Sequence, residues 1–427
     1  MNIKKCLWLF FLCFLSAPSI QAQRNYIDIP NYILCINSYA ESTPWSTRMI
    51  STISEYVQKD PQLALYAEHM NTFMIDNDSI LKEFKNMLSQ KYTQPHPRLL
   101  VLLGSPAFTL RDEYRKLWGD IPIILCSEEA FQGPHEAYLQ KQAIKSEDRT
   151  PIAQFAEPYN MVFLYSNLYL RENVQLINHI KSNIKKFIFI GDEREINLSA
   201  SLDIQNELKT KYPKIEYQFL TPQKMTTNQL LDSLYRVDPQ TTGILFASWF
   251  YKTTFAGNTS LMSNDHKLIV TTPAPIFTLN MTDITEENGG MIGGYTYNQK
   301  RYSQELVRTI SDILQGKQAR DLPFYMPSDG APIINYTTLF RKGLSPSMCP
   351  ADTLFLHKPL SFWELNKYFI IGSLSFIFLL ALFFFYRIHN LNIIKKNATE
   401  RNRRHDELQK SGEQYANSLY AGRINHR

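Results

Sequence analysis

Small, hydroxylated and aromatic residues follow the short apolar runs of this sequence, and they are its best candidates for chemistry. Each run has the length of a buried strand, and ligands of open parallel sheets bind just beyond the carboxyl ends of the strands. Hydroxyl groups and aromatic rings at such positions suit hydrogen bonding to, and stacking on, a small organic molecule. The ligand-binding residues predicted in this way are Ser38, Gly104, Ser105, Pro106, Ser127, Glu128, Ser248, Trp249 and Thr272.

The run Leu-Gly-Ser-Pro-Ala at 103–107 is the most informative of these segments. Gly104 allows a tight turn, Ser105 can cap a helix, and an apparent helix continues to about Trp118. The free backbone N–H groups at a helix start favour an anionic group, such as a ligand carboxylate. A capped helix with nothing bound is the alternative, and the sequence does not separate the two.

No catalytic or metal-binding motif is present in the sequence. Gly-x-Ser-x-Gly, Walker A, His-Glu-x-x-His and Cys-x-x-Cys patterns are absent, and the histidines are scattered without metal-ligand spacing. We therefore predict a chain without catalytic residues, metal or cofactor. Hydrolysis by residues that only the fold brings together remains a third functional class, which turnover abolished by a single cleft mutation would reveal.

The elements that must position these residues alternate between strands and helices. Apolar runs of strand length are followed by amphipathic segments of helix length, which is the pattern of a parallel sheet in an α/β fold. So many strands are unusual for one sheet, and we predict two Rossmann-like lobes. The predicted strands are 32–36, 63–66, 99–103, 121–125, 161–165, 187–190, 215–220, 244–247 and 268–270, and the clearest predicted helices are 45–58, 79–91, 170–183, 198–212 and 301–315.

Two apolar segments of different length divide the chain. Lys4 and Lys5 precede ten apolar residues, which are too few to span a bilayer and predict a secretory signal peptide at 1–22. The second segment, 368–386, has 19 residues without a charge and predicts a transmembrane helix, with a buried core helix as the alternative. Basic residues follow it on one side only, which predicts a single-pass inner-membrane protein with 23–367 in the periplasm and 387–427 in the cytoplasm.

The charge of the chain follows this topology. The formal net charge is +5, and the tail 387–427 alone contains nine basic and four acidic residues. With Lys4 and Lys5 also set aside, the remainder contains 34 basic and 36 acidic residues and is close to neutral. This balance argues against a nucleic-acid partner.

The segment 290–324 resembles the closing part of ABC transporter substrate-binding proteins of the type I periplasmic-binding-protein fold. It has a small-residue strand with a tyrosine at 290–297, a helix ending in Leu-Gln-Gly-Lys at 314–317, and Asp-Leu-Pro at 321–323. The family has "iLkGe" and "p-x-d-i-P-v" at the last two places. Further segments resemble that family in the same order, namely 103–107, 121–125 and 334–346.

This resemblance implies two Rossmann-like lobes that close on a small organic ligand, such as a carboxylate or an amino-acid-like molecule. It implies lobe I at 23–158, lobe II at 159–280, and returning and crossing segments at 281–366. It also adds Gly294, Tyr295 and Asn298 of the returning segment to the ligand-binding residues. Glu128 stands near the Asp-Pro of many members and Asn298 in place of a common Asp, so the resemblance leaves the ligand class open.

The tail after the predicted span has residues at alternating spacings of three and four, the pattern of a parallel coiled coil. These residues are Leu391, Ile394, Ala398, Arg401, His405, Leu408, Gly412, Tyr415 and Leu419. Three of them, Arg401, His405 and Gly412, are poor core residues. A basic amphipathic helix on the inner leaflet is therefore the alternative.

An exported ligand domain, one span and a linker helix together resemble the sensory half of membrane histidine kinases that have a binding-protein-like domain. We therefore expect a homodimeric sensor of a two-component system that acts on a kinase or response-regulator output module. The sequence contains no ATP-binding domain of its own. The alternative is a membrane-tethered substrate-binding protein of an ABC importer.

Overall fold

The computed structural model describes residues 29–75, 77–255, 258–262, 266–281, 284 and 290–424. The predicted signal peptide at 1–22 lies outside these residues. The chain divides into two compact units, one up to Lys358 and one from Pro359 onward.

A five-stranded parallel sheet forms the first lobe in the described residues. Its strands are β1 (Tyr32–Asn37), β2 (Ala64–His69), β3 (Leu99–Leu103), β4 (Ile123–Ser127) and, after a short pair β5 (Phe131–Gln132) and β6 (Thr150–Pro151), β7 (Met161–Tyr165). Its helices are α1 (Pro44–Val57), α2 (Asp78–Lys91), α3 (Ser105–Phe108), α4 (Arg111–Trp118) and α5 (His135–Leu139). The strand order is β2-β1-β3-β4-β7, and every neighbouring pair is parallel.

The strands of this lobe are buried because helices cover both faces of the sheet. Helices α1 and α10 (Gln299–Leu314) pack on one face, through side chains such as Ile53 and Leu306. Helices α2 and α4 pack on the other, through side chains such as Leu88 and Trp118. Burial on both faces explains why these strands are continuous apolar runs in the sequence.

A four-stranded parallel sheet forms the second lobe within the described ranges, with the strand order β13-β10-β8-β9. Its elements are α6 (Leu170–Ile180), β8 (Lys186–Ile190), α7 (Glu195–Lys211), β9 (Glu216–Leu220), α8 (Thr227–Arg236), β10 (Thr242–Phe246), a hairpin of β11 (Tyr251–Phe255) and β12 (Asn258–Met262), α9 (His266–Ile269) and β13 (Ile276–Thr278). Helices α6 and α7 cover one face of the sheet, and α8 and α9 cover the other.

The described chain crosses between the lobes three times. Residues 166–169 lead from β7 into α6, and residues 297–298 lead from β14 (Gly293–Thr296) back to α10 on the first lobe. After α10, Tyr325 bonds to β7, and 326–330 return to β15 (Ala331–Asn335). Strand β15 pairs with β14 and with β16 (Leu354–Leu356), and α11 (Tyr336–Arg341) follows it.

The predicted α/β fold with two Rossmann-like lobes is confirmed, and most predicted strands and helices are present within a few residues of their expected bounds. The strand predicted at 268–270 is wrong, because α9 occupies that segment and the strand forms later, at β13. The expected lobe boundary at 158 also shifts, since β7 belongs to the first sheet and the chain leaves that lobe only after Tyr165.

The second unit consists of one helix, α12 (Phe362–Ile424), of 63 residues. Among the described residues, it is the one helix that is long and apolar enough to cross a membrane, with a window of mean hydropathy 2.4 and no buried residue in it. The predicted span at 368–386 and the predicted tail helix are therefore parts of one continuous helix.

Candidate ligand-binding cleft

A cleft between the two lobes is lined by residues that follow the strands of both sheets. It has a small chamber of about 100 Å³ and a large chamber of about 590 Å³. The small chamber is lined by residues such as Arg48, Ser166, Arg194, Ser248, Phe250 and Tyr297. Four residues line both chambers, namely Glu128, Asn167, Leu168 and Ile196. Open α/β sheets bind ligands at this edge, so the cleft is the candidate functional site.

An ion pair from the second lobe lies in the small chamber. Arg194 Nε and Nη2 donate to Oδ1 and Oδ2 of Asp192, each at 2.9 Å, in a bidentate arrangement. Ser248 Oγ donates to Asp192 Oδ2 at 2.7 Å, and Asn197 Nδ2 donates to Asp192 Oδ1 at 2.8 Å. Burial acts to raise the pKa of Asp192, but the charge and hydrogen bonds of Arg194 outweigh it, and the pKa is lowered.

The guanidinium of Arg194 also joins aromatic rings of the two lobes. Its central carbon lies 5.6 Å from the ring centroid of Tyr39 and 4.9 Å from that of Phe250. Both distances are in the range of cation–π contacts. Nη1 of Arg194 donates to no acceptor among the described residues. It is therefore the group of this ion pair that can bind an anionic or polar atom of a ligand.

The helix start predicted at 103–107 is occupied by the hydroxyl groups of the protein itself. Ala107 N donates to Ser38 Oγ at 2.8 Å, and Ser105 Oγ lies 2.8 Å from Ser127 Oγ. A Cβ on Gly104, whose φ is +90°, would lie 2.8 Å from Tyr39 Oη, so the tyrosine covers the turn. Pro106 is buried in the same short helix. These predicted residues are brought together as expected, but the N–H groups of Gly104 and Ala107 already donate to Cys126 O and Ser38 Oγ and are not available to a ligand carboxylate.

The remaining predicted residues lie at several places. Glu128 and Ser248 line the small chamber. Trp249 is buried in the core of the second lobe, where Nε1 donates to Thr227 Oγ1 at 3.1 Å. Thr272 follows α9 and donates to Ile269 O at 2.8 Å. Neither residue is among those that line the chambers.

The three residues predicted on the returning segment have structural contacts. Gly294 lets β14 approach β13, because a Cβ there would lie 2.1 Å from Thr278 O. Asn298 Oδ1 accepts from Arg301 N at 3.1 Å and caps α10. Tyr295 takes part in the hinge described below. The neighbouring residues Thr296 and Tyr297 line the small chamber instead.

The crossing segments are held together by Tyr169, Tyr295 and Asn173. The two tyrosine rings lie with their centroids 5.1 Å apart, and Tyr295 Oη donates to Gly330 O at 2.8 Å. Asn173 Nδ2 donates to Tyr169 O at 3.0 Å and Tyr295 O at 2.9 Å, and its Oδ1 accepts from Tyr295 N at 2.8 Å. These contacts tie together Tyr169 of the first crossing segment, Tyr295 next to the second and Gly330 of the third. We call this cluster the hinge of the two lobes.

Three carboxyl groups also lie at the facing strand ends. Glu128 and Glu129 follow β4, and Glu195 begins α7 of the other lobe. Burial raises the pKa of Glu128 and of Glu195 to about 7, although Arg194 lowers both. Burial and the charge of Glu195 raise the pKa of Glu129 well above its usual range. Oε1 of Glu129 and Oε1 of Glu195 have no hydrogen-bond partner in the described structure.

Several residues of the cleft were not predicted from the sequence, chiefly Arg194, Asn197, Phe250 and Tyr297. Asp192 comes two residues after β8, so its position just beyond a strand end could have identified it as a residue of the cleft. Arg194 is two residues further on, and its contacts with Asp192, Ser248 and the two aromatic rings hold it in the cleft. Within the described part of the chain, no group of three or more His, Cys, Asp or Glu residues could hold a metal ion.

Neither a protein-family model nor a curated protein sequence matches the chain. Similar solved structures include a conserved domain protein from Vibrio cholerae, with 12% identity, a TM-score of 0.49, and coverage of 76% of this chain and 99% of that one. The ABC domain from Streptococcus pneumonia in complex with L-Trp has 14% identity and a TM-score of 0.48, with coverage of 76% and 99%. An ABC transporter periplasmic solute-binding protein from Actinobacillus succinogenes with bound D-allose has 14% identity and a TM-score of 0.41, with coverage of 71% and 96%.

All three TM-scores are below 0.5, so the fold is assigned from the strand orders and the crossing segments of the chain itself. Two parallel α/β lobes, joined by crossing segments around a cleft at their strand ends, are the features of a type I periplasmic binding protein. The residues up to Lys358 that the structure describes have this architecture.

Proposed function

We propose that the chain is an extracytoplasmic sensor of a small organic ligand, which it binds in the cleft between its lobes. The observation that carries this proposal is the cleft lining. Groups from both lobes meet there around empty volume, and the buried Oε1 of Glu129 has no hydrogen-bond partner among the residues that the structure describes. Buried polar groups usually have partners, and a ligand is a natural source of them.

Helix α12 supports the sensing part of the proposal. Its apolar segment is long enough for one span, and the same helix continues into the basic tail without a break. At 1.5 Å per residue, 63 residues extend for about 95 Å. A continuous helix of this length can carry a displacement from one side of a membrane to the other. A tethered importer subunit needs an anchor but has no use for a tail helix, so this continuity favours the sensor.

In this proposal the protein lies in the inner membrane, with the lobes in the periplasm and the tail in the cytoplasm. Ligand binding selects the closed lobes and shifts a dimer between two arrangements of the tail helices. The output is a histidine kinase module and a response regulator of a two-component system, either continuous with this chain or on a separate one. The chain itself contributes ligand binding and signal transmission rather than catalysis.

Thermal-shift screening of the full-length chain in detergent tests the ligand-binding part. The library contains amino acids, carboxylates, sugars and amines. We expect at least one compound to raise the melting temperature, and Ile196→Trp, which fills the wall shared by both chambers, to abolish the effect. The control is Ile80→Trp at an exposed position of α2. A library without any stabilising compound, or a stabilising compound that binds Ile196→Trp normally, would contradict the assigned cleft.

A further inference from the structure

The large chamber has more acidic than basic side chains. Its lining includes Glu128, Glu129, Glu172, Asp203 and Glu207, and two arginines. Both arginines are already paired with acids of the same chamber. Arg149 Nη2 lies 3.0 Å from Asp203 Oδ1, and Arg171 Nε lies 3.5 Å from Glu207 Oε2.

Three acidic side chains of the chamber form no salt bridge among the described residues, although the charges of Arg194 and Arg149 act to lower the pKa of Glu128 and of Glu129, respectively. Glu128, Glu129 and Glu172 form no ion pair with any described residue. These three residues come from both sides of the cleft, since Glu172 lies in the first turn of α6 of the second lobe. Burial makes an uncompensated charge costly, so Glu128 and Glu129 keep their protons to a higher pH than free carboxyl groups do, and a bound cation would favour their ionised forms.

Glu129 is a buried acidic residue of the chamber wall. Its side chain lines the chamber, the residue is 6% exposed, and its Oε1 has no hydrogen-bond partner in the described structure. Tyr165, which also lines the chamber, has a pKa raised to about 12 by burial and by nearby groups that include Glu129, Glu172 and Glu128. All three acidic side chains therefore lie near enough to Tyr165, on the same chamber wall, to act on its hydroxyl group.

The size and walls of the chamber fit an organic molecule rather than a bare ion. Its volume of about 590 Å³ is in the range of organic-ligand sites. Apolar side chains such as Leu168, Leu170 and Ile196 line it beside the acids and can contact a hydrocarbon body. The described residues offer no arrangement suited to a metal ion.

We propose that the large chamber binds a small organic cation, a protonated amine whose ammonium group lies between Glu128, Glu129 and Glu172. This inference rests on the proposed ligand-binding function and specifies the ligand class for the same cleft. The ammonium group supplies hydrogen bonds to the unpartnered oxygen of Glu129 and contacts the face of Tyr165. The aliphatic part of the amine packs on the apolar wall.

Calorimetric titration of the full-length protein in detergent tests the proposal with ethanolamine, putrescine and spermidine hydrochlorides. Sodium butyrate and sodium succinate at matched ionic strength are the anionic comparison. We expect at least one amine to bind and neither carboxylate to do so. Glu129→Gln and, separately, Glu172→Gln should each weaken amine binding by about tenfold, because each removes one charged acceptor. Glu83→Gln, at an exposed position of α2, is the matched control and should bind as the parent does.

Two results would overturn this inference and leave the proposed function standing. One is binding of a carboxylate or sugar when all three amines fail at millimolar concentration. The other is amine binding that both Gln variants leave unchanged, which would place the amine elsewhere. Glu172 is only half-buried, so its variant remains informative if Glu129→Gln does not fold. Absence of any ligand in the whole library would instead contradict the proposed function itself.

Discussion

Arg194 of the second lobe lies with its guanidinium 5.6 Å from the ring of Tyr39 of the first lobe, while it remains paired with Asp192 of its own lobe. The ion pair is buried, with Asp192 fully inaccessible to solvent. One residue thus neutralises a buried acid and contacts the opposite wall of the cleft. The contact links the stability of the second lobe to the closure of the two lobes.

Replacing Arg194 by Gln should lower the free energy of unfolding by about 3 kcal/mol, because it leaves the buried carboxylate of Asp192 without its counter-ion. Urea denaturation of the full-length protein in detergent measures the change. Arg171→Gln is the control, since that side chain is 69% exposed and its ion pair should contribute little. The double variant Asp192→Asn/Arg194→Gln should recover part of the loss. A single variant as stable as the parent would show that Asp192 is not ionised.

The buried glutamates should make the protein less stable as the pH rises from about 5 to about 8. Glu195 titrates at 4.5 when unfolded, whereas burial raises its pKa to about 7 in the folded protein. Between these values the folded state holds a proton that the unfolded state has lost, so the free energy of unfolding falls with rising pH. Glu128 acts with the same sign, and Asp192, whose pKa is lowered from 3.8, titrates below this window.

Glu195→Gln tests this pH dependence through the melting temperature. The variant should melt at least about 2 °C higher than the parent near pH 8 and show a flatter profile down to pH 5. Glu136→Gln, at an exposed position of α5, should leave the profile as it is. A parent protein whose stability rises steadily across this range would be inconsistent with buried, protonated glutamates.

Removing the hydroxyl of Tyr295 should loosen the hinge. Tyr295→Phe deletes the hydrogen bond to Gly330 O but keeps the ring against Tyr169, so the expected loss is about 1 kcal/mol. Amide hydrogen exchange should accelerate at 326–330 and stay unchanged in the buried strand β3. Tyr235→Phe is the matched control at an exposed tyrosine of α8. Equal exchange rates in Tyr295→Phe and the parent would show that this hydroxyl does not stabilise the hinge.

The proposed dimer predicts a specific cross-linking pattern in the tail. Leu391→Cys lies on the predicted seam, and Asn392→Cys is the neighbouring position off it. In membranes, oxidation should cross-link Leu391→Cys strongly and Asn392→Cys weakly, and a ligand found by screening should change the yield at the seam. Equal yields at both positions, with and without ligand, would favour the membrane-bound amphipathic helix.

The fold could be predicted from the sequence to the extent that strands are buried on both faces. Strands β1, β3 and β8 are continuous apolar runs for this reason and were recognised. The segment 268–270 is just as apolar, but it forms the end of the short helix α9 and the residue after it, and three apolar residues are too few to show a helical or an extended period. Strand β14 was recognised only through the family resemblance at 290–297 and not from hydrophobic patterning, because its glycines carry no hydrophobic signal.

The site was harder to predict, because its groups are defined by contacts between distant segments. Three serines that follow strands do lie close together at the strand ends, as predicted, namely Ser38, Ser105 and Ser127. They form hydrogen bonds to one another and to the backbone. Arg194 is held in the cleft by its ion pair with Asp192 and by contacts with residues distant in sequence, such as Tyr39 and Ser248. Whether a glutamate oxygen lacks a hydrogen-bond partner depends on how deeply the residue is buried. The burial of a single polar residue leaves no periodic pattern in the sequence.

The contact between Arg149 and Asp203 has a consequence for how long a ligand stays bound. These two residues line the large chamber from opposite lobes and lie 3.0 Å apart, and Ile144 N also donates to Ser199 Oγ across the lobes at 2.9 Å. Opening the lobes must break both contacts before an occupant of the chamber can leave. In the proposed sensor, the dissociation rate of the ligand, and with it the duration of each signal, would therefore be set in part by bonds that the ligand itself never makes.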